Sequence, residues 1–542
     1  MSKATKATRT FDGSKFVDRM KETFRQSMQL LHSWLGLTAG WLLFFVFLTG
    51  TTGFVNPEIS RWMRPELPLV TKTAAAEALP VAERYLQQNR SGAEFWAIFF
   101  PGHHGADALT VTWREPRLEA DRAVLDIKTG EHLVQVRPRQ TGGGFALYVM
   151  HYALHYISRG VAVFIVGAAA MMMLISIVTG VVGHKNLIKG LSPPRTAPAY
   201  ANWRSRHTLL GVTVLPFFLV MTWSGLMFSL FEYMPVAQAA LFPNHEAMTR
   251  FNTEAYFPPD RPYGEADIVV PASRTSLSDV LTRAENLWGH GNVSSIRVDH
   301  PGGENMRVTA YTWHADIKSQ SRVAFDATTG EPIHLVRPRT ETAKFYETMI
   351  GLHKADFAGT YLRVLYVICG LAGTALVGTG LVHWSTKRKA RVNTPRSHAV
   401  ISLVEKINLA TVIGLPIGLA AYFWANRLIP TDVTHRGAWE VHTMFIVWGF
   451  AFLLALLRPQ RRAWMEMCAL AAAAYGLIPI LNAITTERHL GITIPAGDWA
   501  LAGFDLAAFA ISAFFLMLAV SIRRKQSVAE VIPGATPGSV TA

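Results

Sequence analysis

The feature that most constrains this chain is a set of eight apolar stretches, each about as long as a helix that crosses a lipid bilayer. A helix spans the hydrocarbon with about 20 largely apolar residues. The stretches are Trp34–Val55, Gly160–Gly183, Leu209–Phe231, Val364–His383, Ile407–Ala425, Trp439–Leu457, Trp464–Leu481 and Trp499–Ile522. The seventh has the weakest apolar character. The sequence therefore predicts a polytopic all-α membrane protein with about eight spanning helices.

Lysines and arginines cluster at alternate ends of these stretches. Cytoplasmic loops carry an excess of both residue types, so the clusters mark the cytoplasmic side. They are Lys3, Lys6, Arg9, Lys15, Arg19, Lys21 and Arg25; Lys185, Lys189, Arg195, Arg204 and Arg206; Lys387, Arg388, Lys389, Arg391 and Arg396; Arg458, Arg461 and Arg462; and Arg523, Arg524 and Lys525. We expect both termini in the cytoplasm and the two longest loops on the periplasmic side of a bacterial inner membrane. The net charge of +14 then reflects topology, and no nucleic acid partner is predicted.

The two longest loops resemble each other. Residues 123–139 read AVLDIKTGEHLVQVRPR, and residues 323–339 read VAFDATTGEPIHLVRPR. The shared Asp, Thr-Gly-Glu and Val-Arg-Pro-Arg positions indicate an internal duplication.

Each copy is predicted to form a small α+β module. A helical stretch begins each one, at Ala74–Gln88 and at Ser276–Trp288, and alternating strands follow, such as Ala108–Trp113 and Arg307–Trp313. The Asp-x-x-Thr-Gly-Glu element is typical of a hairpin turn between two strands.

The flanking spans repeat as well. His32-Ser-Trp-Leu-Gly-Leu opens the first span and His207-Thr-Leu-Leu-Gly-Val the third, while Thr179-Gly-Val-Val-Gly-His184 ends the second and Thr379-Gly-Leu-Val-His383 the fourth. The predicted organisation is a basic cytoplasmic or interfacial segment (1–31), span one (32–55), module one (56–150), span two (151–184), a cytoplasmic loop (185–206), span three (207–231), module two (232–352), span four (353–384), an appended bundle of spans five to eight (385–525) and a cytoplasmic tail (526–542).

Histidines form two layers in the repeated helices. His32, His184, His207 and His383 lie at the cytoplasmic ends of the spans, and His151, His155 and His353 lie just before spans two and four. A single membrane histidine is more often an interhelical hydrogen-bonding group than a ligand. Two layers on different helices, however, suit two haem b groups, because neutral imidazole is an axial ligand of haem iron.

The histidines that would bind the haem irons are predicted from equivalent positions in the repeat. We expect His155 and His353 to bind the iron of an outer haem, and His32 and His207 that of an inner one, with His151, His184 and His383 as alternates. Arg159 and Arg363 are candidate partners of haem propionates, or cations that reach the membrane interface. His151 and His155 could also form a two-histidine metal site.

Other charged residues are less specific. Glu405, Glu440, Glu466 and Asp505, within or near the last four spans, fit a proton or quinone path, or the ordinary ends of helices. His442, near the outer end of span six, is a further candidate ligand. Arg137, Arg139, Arg337 and Arg339 would attract anionic chelates, or support the modules. No Gly-x-Gly-x-x-Gly motif follows a cytoplasmic strand, so electrons would come from a separate donor. The two cysteines, Cys369 and Cys468, provide neither a disulfide framework nor a CxxC motif.

The ordered motifs resemble the PepSY-associated transmembrane helix proteins over residues 25–395. They include Leu31-His-Ser-Trp-Leu-Gly, Leu154-His-Tyr, Ser224-Gly-Leu, Gly351-Leu-His353 and Thr379-Gly-Leu-Val-His-Trp. The resemblance implies paired PepSY-like periplasmic modules above a four-helix core. It also implies kinship with di-haem inner-membrane reductases that release iron from ferric siderophores.

The leading functional hypothesis is a haem b membrane reductase that passes electrons to a periplasmic ferric siderophore or other iron chelate. Oxygen chelators hold ferrous iron more weakly than ferric iron, so reduction releases the metal. Two alternatives stay open. One is a regulator or inhibitor of a protease that carries no cofactor, and the other is a component of a siderophore transporter.

Overall fold

The structure is a computed structural model, and it describes residues 13–67, 74–101, 108–116, 120–133, 139–184, 199–228, 230–233, 235–241, 243–256, 276–303, 306–312, 322–326, 332–336, 340–355 and 357–531. The helices of the two repeats are α1 Gly13–Gly53, α2 Asn56–Trp62, α3 Ala75–Asn89, α4 Gly143–Ala153, α5 Arg159–Gly183, α6 Ala199–Thr213, α7 Leu215–Phe228, α8 Leu230–Tyr233, α9 Pro235–Leu241, α10 His245–Tyr256, α11 Leu277–Trp288, α12 Glu341–Lys354 and α13 Thr360–Lys389. Those that follow are α14 Pro395–Leu409, α15 Leu415–Leu428, α16 Arg436–Leu457, α17 Gln460–Thr485, α18 Leu490–Thr493 and α19 Trp499–Val531.

Seven helical segments of the described chain are long and apolar enough to cross a membrane, and an eighth crossing is counted if one bent pair is a single span. Helices α14 and α15 form one of the seven, joined by a π-helical turn at Ala410–Gly414. The mostly helical, multi-pass architecture confirms the predicted fold class. The chain is therefore a multi-pass membrane protein.

The bent pair is α6 and α7, which meet at an angle of 69°. The sequence predicts a span over Leu209–Phe231, and the structure places a bend within it. Pro216 lies one residue inside α7 and has no N–H to donate to the carbonyl of Val212, so the helix kinks there.

The soluble modules share one antiparallel sheet of seven strands, in the order β3-β2-β1-β4-β5-β6-β7. The strands are β1 Phe95–Phe99, β2 Thr110–Arg114, β3 Asp121–Val124, β4 Val293–Asp299, β5 Arg307–Thr312, β6 Arg322–Asp326 and β7 Pro332–Val336. Module one supplies the first three and module two the other four. The predicted helices correspond to α3 and α11, and the predicted strands to β2 and β5.

The two modules join through β1 and β4, which pair so that Ile98 lies opposite Ile296. Both side chains are fully buried in a core that α3 and α11 cover. Exposed edge strands are prone to pair with other chains, and this joint covers one edge of each module. The sequence predicted two modules without predicting that their strands form a continuous sheet.

The predicted hairpin turn is present in module one. Asp126 Oδ1 accepts hydrogen bonds from the backbone N–H groups of Lys128 at 2.7 Å and Thr129 at 3.0 Å. Gly130 has a φ of +75°, which glycine adopts without steric cost. The second copy of the turn, residues 327–331, lies outside the described residues, but it connects the antiparallel strands β6 and β7.

Helices α1, α5, α6 with α7, and α13 form a four-helix core, beside which α14–α17 and α19 form the appended bundle. The modules are inserted at one set of span ends, which we call the module face. The opposite ends carry the clustered lysines and arginines, and we call them the basic face.

Candidate functional site

His32 of α1 and His207 of α6 face each other near the basic face. Their ring centroids lie 6.1 Å apart, with the ring planes at 62°. The Nδ1 of His32 is 2.8 Å from the carbonyl oxygen of Ser176, and the Nδ1 of His207 is 3.0 Å from that of Leu376. A carbonyl oxygen only accepts, so each Nδ1 carries the proton and donates it. The lone pair of each neutral ring is therefore on Nε2.

His151 of α4 and His353 of α12 form a second pair at the module face. Their centroids lie 6.3 Å apart, with the planes at 21°. His151 Nδ1 donates to the carbonyl oxygen of Tyr148. His353 Nδ1 lies 3.0 Å from Ser224 Oγ, whose own proton goes to the carbonyl oxygen of Val220. Both rings of this pair therefore also keep the lone pair on Nε2.

Burial keeps the outer pair neutral. Burial, together with a smaller contribution from the neighbouring His151, lowers the pKa of His353 to about 3. Burial likewise lowers the pKa of His151 below its usual value. Neutral imidazole is the form that binds iron, so both rings are in the ligating state at neutral pH.

Each of the four rings lies against a glycine of a neighbouring helix. A Cβ placed on Gly180, Gly380 or Gly225 would come within 3.0 Å of Cε1 of His32, His207 or His353 respectively. One on Gly50 would be 3.5 Å from Cδ2 of His151. Gly50 follows His32 by the same number of residues as Gly225 follows His207. The duplicated helices therefore present both the histidines and the glycines in a repeated register.

These features fit a haem held by two histidines at each pair. Imidazoles that bind one iron from opposite sides have centroids about 6 Å apart, given metal–nitrogen bonds of about 2 Å and a ring radius of about 1 Å. Within the described part of the chain, no three His, Cys, Asp or Glu side chains converge as an ion held by protein ligands alone requires.

His155, expected opposite His353, lies elsewhere in the structure. Helix α4 ends at Ala153, and Leu154 has a φ of 44°, which turns the chain away before His155. His155 packs against Tyr156, His442 and Phe445. In the second repeat α12 continues past His353 before Ala355, with a φ of 55°, ends it. His151, the alternate, thus faces His353.

The other two alternates lie outside the facing pairs. His184 follows the end of α5, and its Nε2 is 3.3 Å from Thr208 Oγ1. His383 lies in the last part of α13, and both residues are electrostatic neighbours of His207. The structure thus places them around the inner pair.

The candidate propionate partners have contacts within the protein. Arg363 forms an ion pair of 2.7 Å with Glu58, which links α13 to α2. The guanidinium of Arg159 lies 5.7 Å from the centre of the Tyr152 ring. Both residues lie at the module face, at the starts of α13 and α5.

Arg139 is directed into the protein interior and pairs with Glu66 at 2.6 Å. This geometry fits the structural interpretation of Val-Arg-Pro-Arg. Arg137, Arg337 and Arg339 lie outside the described residues.

Sequence reasoning missed several partners of the histidines. The carbonyls of Ser176 and Leu376 have no side-chain signature, because any residue supplies a carbonyl. Gly225 could have been found, since His32 and Gly50 predict a glycine at the same interval after His207.

Comparison with known families places these residues in context. A search of curated proteins found no match. The family model described as the PepSY-associated TM region matches residues 29–387. This segment includes all four paired histidines and their glycines, and it ends before the appended bundle. Because the match covers more than half of the chain, the protein belongs to the PepSY-associated TM family.

Proposed function

We propose that this protein is a haem b-containing inner-membrane reductase that passes electrons across the bilayer to a periplasmic ferric chelate, such as a ferric siderophore. The observation that carries the proposal is the presence of two facing histidine pairs, one at each end of the four-helix core. In all four rings Nδ1 is engaged and Nε2 keeps its lone pair.

The positions of the pairs suit a path across the membrane. The apolar part of α1 carries His32 near its start and Gly50, which contacts His151, near its end. At a rise of 1.5 Å per residue, these two positions are about 27 Å apart along the helix, close to the thickness of the hydrocarbon. Haem bound at each pair would supply reversible one-electron chemistry at iron.

Hydrogen-bonding groups of the protein orient the four histidine rings. The carbonyls of Ser176 and Leu376 fix the rotation of the inner imidazoles. The carbonyl of Tyr148 and the hydroxyl oxygen of Ser224 fix that of the outer ones. Such partners of ligating histidines set both the tautomer and the basicity of the ligand. The glycines against the rings leave room for the imidazoles beside the helix backbones.

The proposed substrate lies on the module face. One electron transferred to a ferric chelate gives a ferrous chelate, which oxygen ligands hold more weakly. The outer pair is at the same face as the joined modules, so a chelate bound beside the sheet would be on the accepting side. A separate donor is needed, because the sequence has no recognisable nicotinamide or flavin motif.

Visible spectroscopy of the purified protein tests this proposal. Protein from haem-replete cells should show the low-spin spectrum of bis-histidine haem, before and after reduction by dithionite. His151→Ala and His353→Ala should each remove about half of the signal, and His32→Ala and His207→Ala the other half. His155→Ala is the matched control and should keep both halves of the haem signal. A colourless protein would refute the proposal and favour a regulator without a cofactor.

A further inference from the structure

The appended bundle contains a buried layer of charged and amide side chains close to the module face. Arg436, Glu440, Asn426, Asn482 and Asp505 are all 0% exposed. Ionisable groups in such positions are costly unless they are paired, and in membrane segments they mark functional sites. This bundle lies outside the family match, so the family says nothing about the role of the layer.

The layer connects the bundle to α2. Asp505 accepts hydrogen bonds from Trp62 Nε1 at 2.9 Å and from Asn482 Nδ2 at 3.0 Å. Arg427 donates to the carbonyl oxygen of Trp62 at 2.7 Å, and its guanidinium lies 3.7 Å from the centre of the Trp62 ring. Arg61 pairs with Asp498 at 3.3 Å. These contacts fix α2 to α15, α17 and the start of α19.

The same layer holds the segment that leads into α4. Glu440 Oε2 accepts from Thr141 Oγ1 at 2.5 Å and from the N–H of Gly142 at 3.2 Å. Arg436, which is paired with Glu440, donates to the carbonyl oxygen of Gln140 at 3.0 Å. The Tyr422 hydroxyl donates to the carbonyl oxygen of Gly143 at 2.8 Å.

The opposite end of α4 also meets α16. Tyr156 Oη lies 2.7 Å from Nδ1 of His442, and their rings stack at 10°. The ring of His155 stacks on Phe445 at a centroid distance of 6.0 Å. Helix α16 therefore contacts the chain just before and just after the short helix whose last turn carries His151.

We infer that the appended bundle positions His151. Glu440, Arg436 and Tyr422 fix residues 140–143, and His442 and Phe445 fix residues 155 and 156, so the bundle sets how the ring of His151 faces that of His353. In this arrangement Glu440, Arg436 and Tyr422 are positioning residues. The consequence for haem rests on the proposed function, whereas the restraint on α4 does not.

The inner pair provides an internal comparison. His32 and His207 are oriented by carbonyls of Ser176 and Leu376, which belong to α5 and α13 of the four-helix core. Substitutions that weaken the buried layer should therefore change the orientation of the outer histidine pair and leave that of the inner pair unchanged.

Hydrogen–deuterium exchange of the full-length protein in detergent tests the restraint without reference to haem. Tyr422→Phe removes one hydrogen bond to residue 143 with little change in packing, and Thr141→Val removes the donor to Glu440. Each should speed exchange in α4 about tenfold, and α12 should be unchanged. Thr141→Ser, which keeps the hydroxyl, should exchange like the wild type.

Glu466→Gln is the matched control, because it breaks the Arg458–Glu466 pair of 2.6 Å near the basic face of the same bundle. Unchanged exchange in α4 for both Tyr422→Phe and Thr141→Val would overturn the inference. So would equal acceleration throughout α15–α19, since that result would mean loss of the bundle rather than release of α4.

Redox titration of the two haem signals tests the consequence for function. In Tyr422→Phe and Glu440→Gln the midpoint potential of the outer signal should shift, and that of the inner signal should match the wild type. If the protein proves to be colourless while α4 still exchanges faster, the proposed function fails and the positioning stands. If haem is bound and neither potential moves, the positioning of His151 by the bundle is refuted.

Discussion

His151 and His353 face each other with their ring planes 21° apart, and each comes from a different copy of the duplicated unit. His32 and His207, which face each other at the basic face, likewise come from different copies. Each copy therefore contains only half of each pair. A single unit would complete a two-histidine site only by associating with a second copy, so the duplication joins in one chain what two chains would otherwise have to assemble.

The glycines against the rings give the first prediction. Gly225→Ala places a methyl group within 3.0 Å of His353 Cε1, so the ring must move. We expect it to weaken the outer haem signal strongly and to leave the inner signal intact. Gly180→Ala, which places a methyl group against His32, should weaken the inner haem signal and leave the outer signal intact. Optical spectra resolved by redox titration would measure both.

Gly449→Ala in α16 is the control, because nothing lies within 4 Å of the Cβ it adds. Replacing a helical glycine with alanine at such a position should stabilise the helix by about 0.5–1 kcal/mol. Equal losses of both haem signals in Gly225→Ala and Gly180→Ala would contradict the assignment of one glycine to each pair.

The sequence was sufficient to predict the multi-pass helical architecture and the module helices, since both follow from hydropathy and periodicity. It also selected His32, His207 and His353 by their repeat positions. It favoured His155 over His151, which lies one helical turn earlier, whereas the structure places His151 opposite His353. That choice depends on where α4 ends, and a left-handed residue at Leu154, which is not a glycine, gives no sequence signal. In the buried layer of the appended bundle, Glu440 and Asp505 were singled out from the sequence. Arg436, Asn426 and Asn482 were missed, because they lie near the ends of apolar stretches, where interfacial residues are expected.

The joint between the modules gives a second prediction. Ile98 lies opposite Ile296 and is fully buried. Ile98→Ala should lower the free energy of unfolding of the joined modules by about 2–4 kcal/mol, because it leaves a cavity in a shared core. Limited proteolysis should then cleave both modules more readily. Cleavage confined to module one would argue that the modules fold independently.

The carboxyl group of Glu83 in α3 gives a prediction on pH. Partial burial raises its pKa above the usual value, so the folded state favours the protonated form. A raised pKa contributes stability below the unfolded pKa, near 4.5, and that contribution is lost as pH rises through the folded value. Glu83→Gln should therefore stabilise the modules at pH 7 and change little at pH 4. Thermal unfolding at the two pH values would measure this, and an equal effect at both would exclude titration as the cause.

Ser224 provides the last prediction, which concerns the hydrogen bond behind His353. Its Oγ is 3.0 Å from His353 Nδ1, and the carbonyl of Met221 also accepts from this ring. A hydrogen-bond acceptor at Nδ1 makes the imidazole a stronger donor to ferric iron, so its loss favours the ferrous state. Ser224→Ala should raise the outer midpoint potential by about 40 mV, the equivalent of one hydrogen bond of about 1 kcal/mol in a one-electron couple. Thr443→Val is the control, because its hydroxyl donates to a carbonyl in the exposed part of α16. A shift in the inner potential instead would mean that His353 does not belong to the outer site.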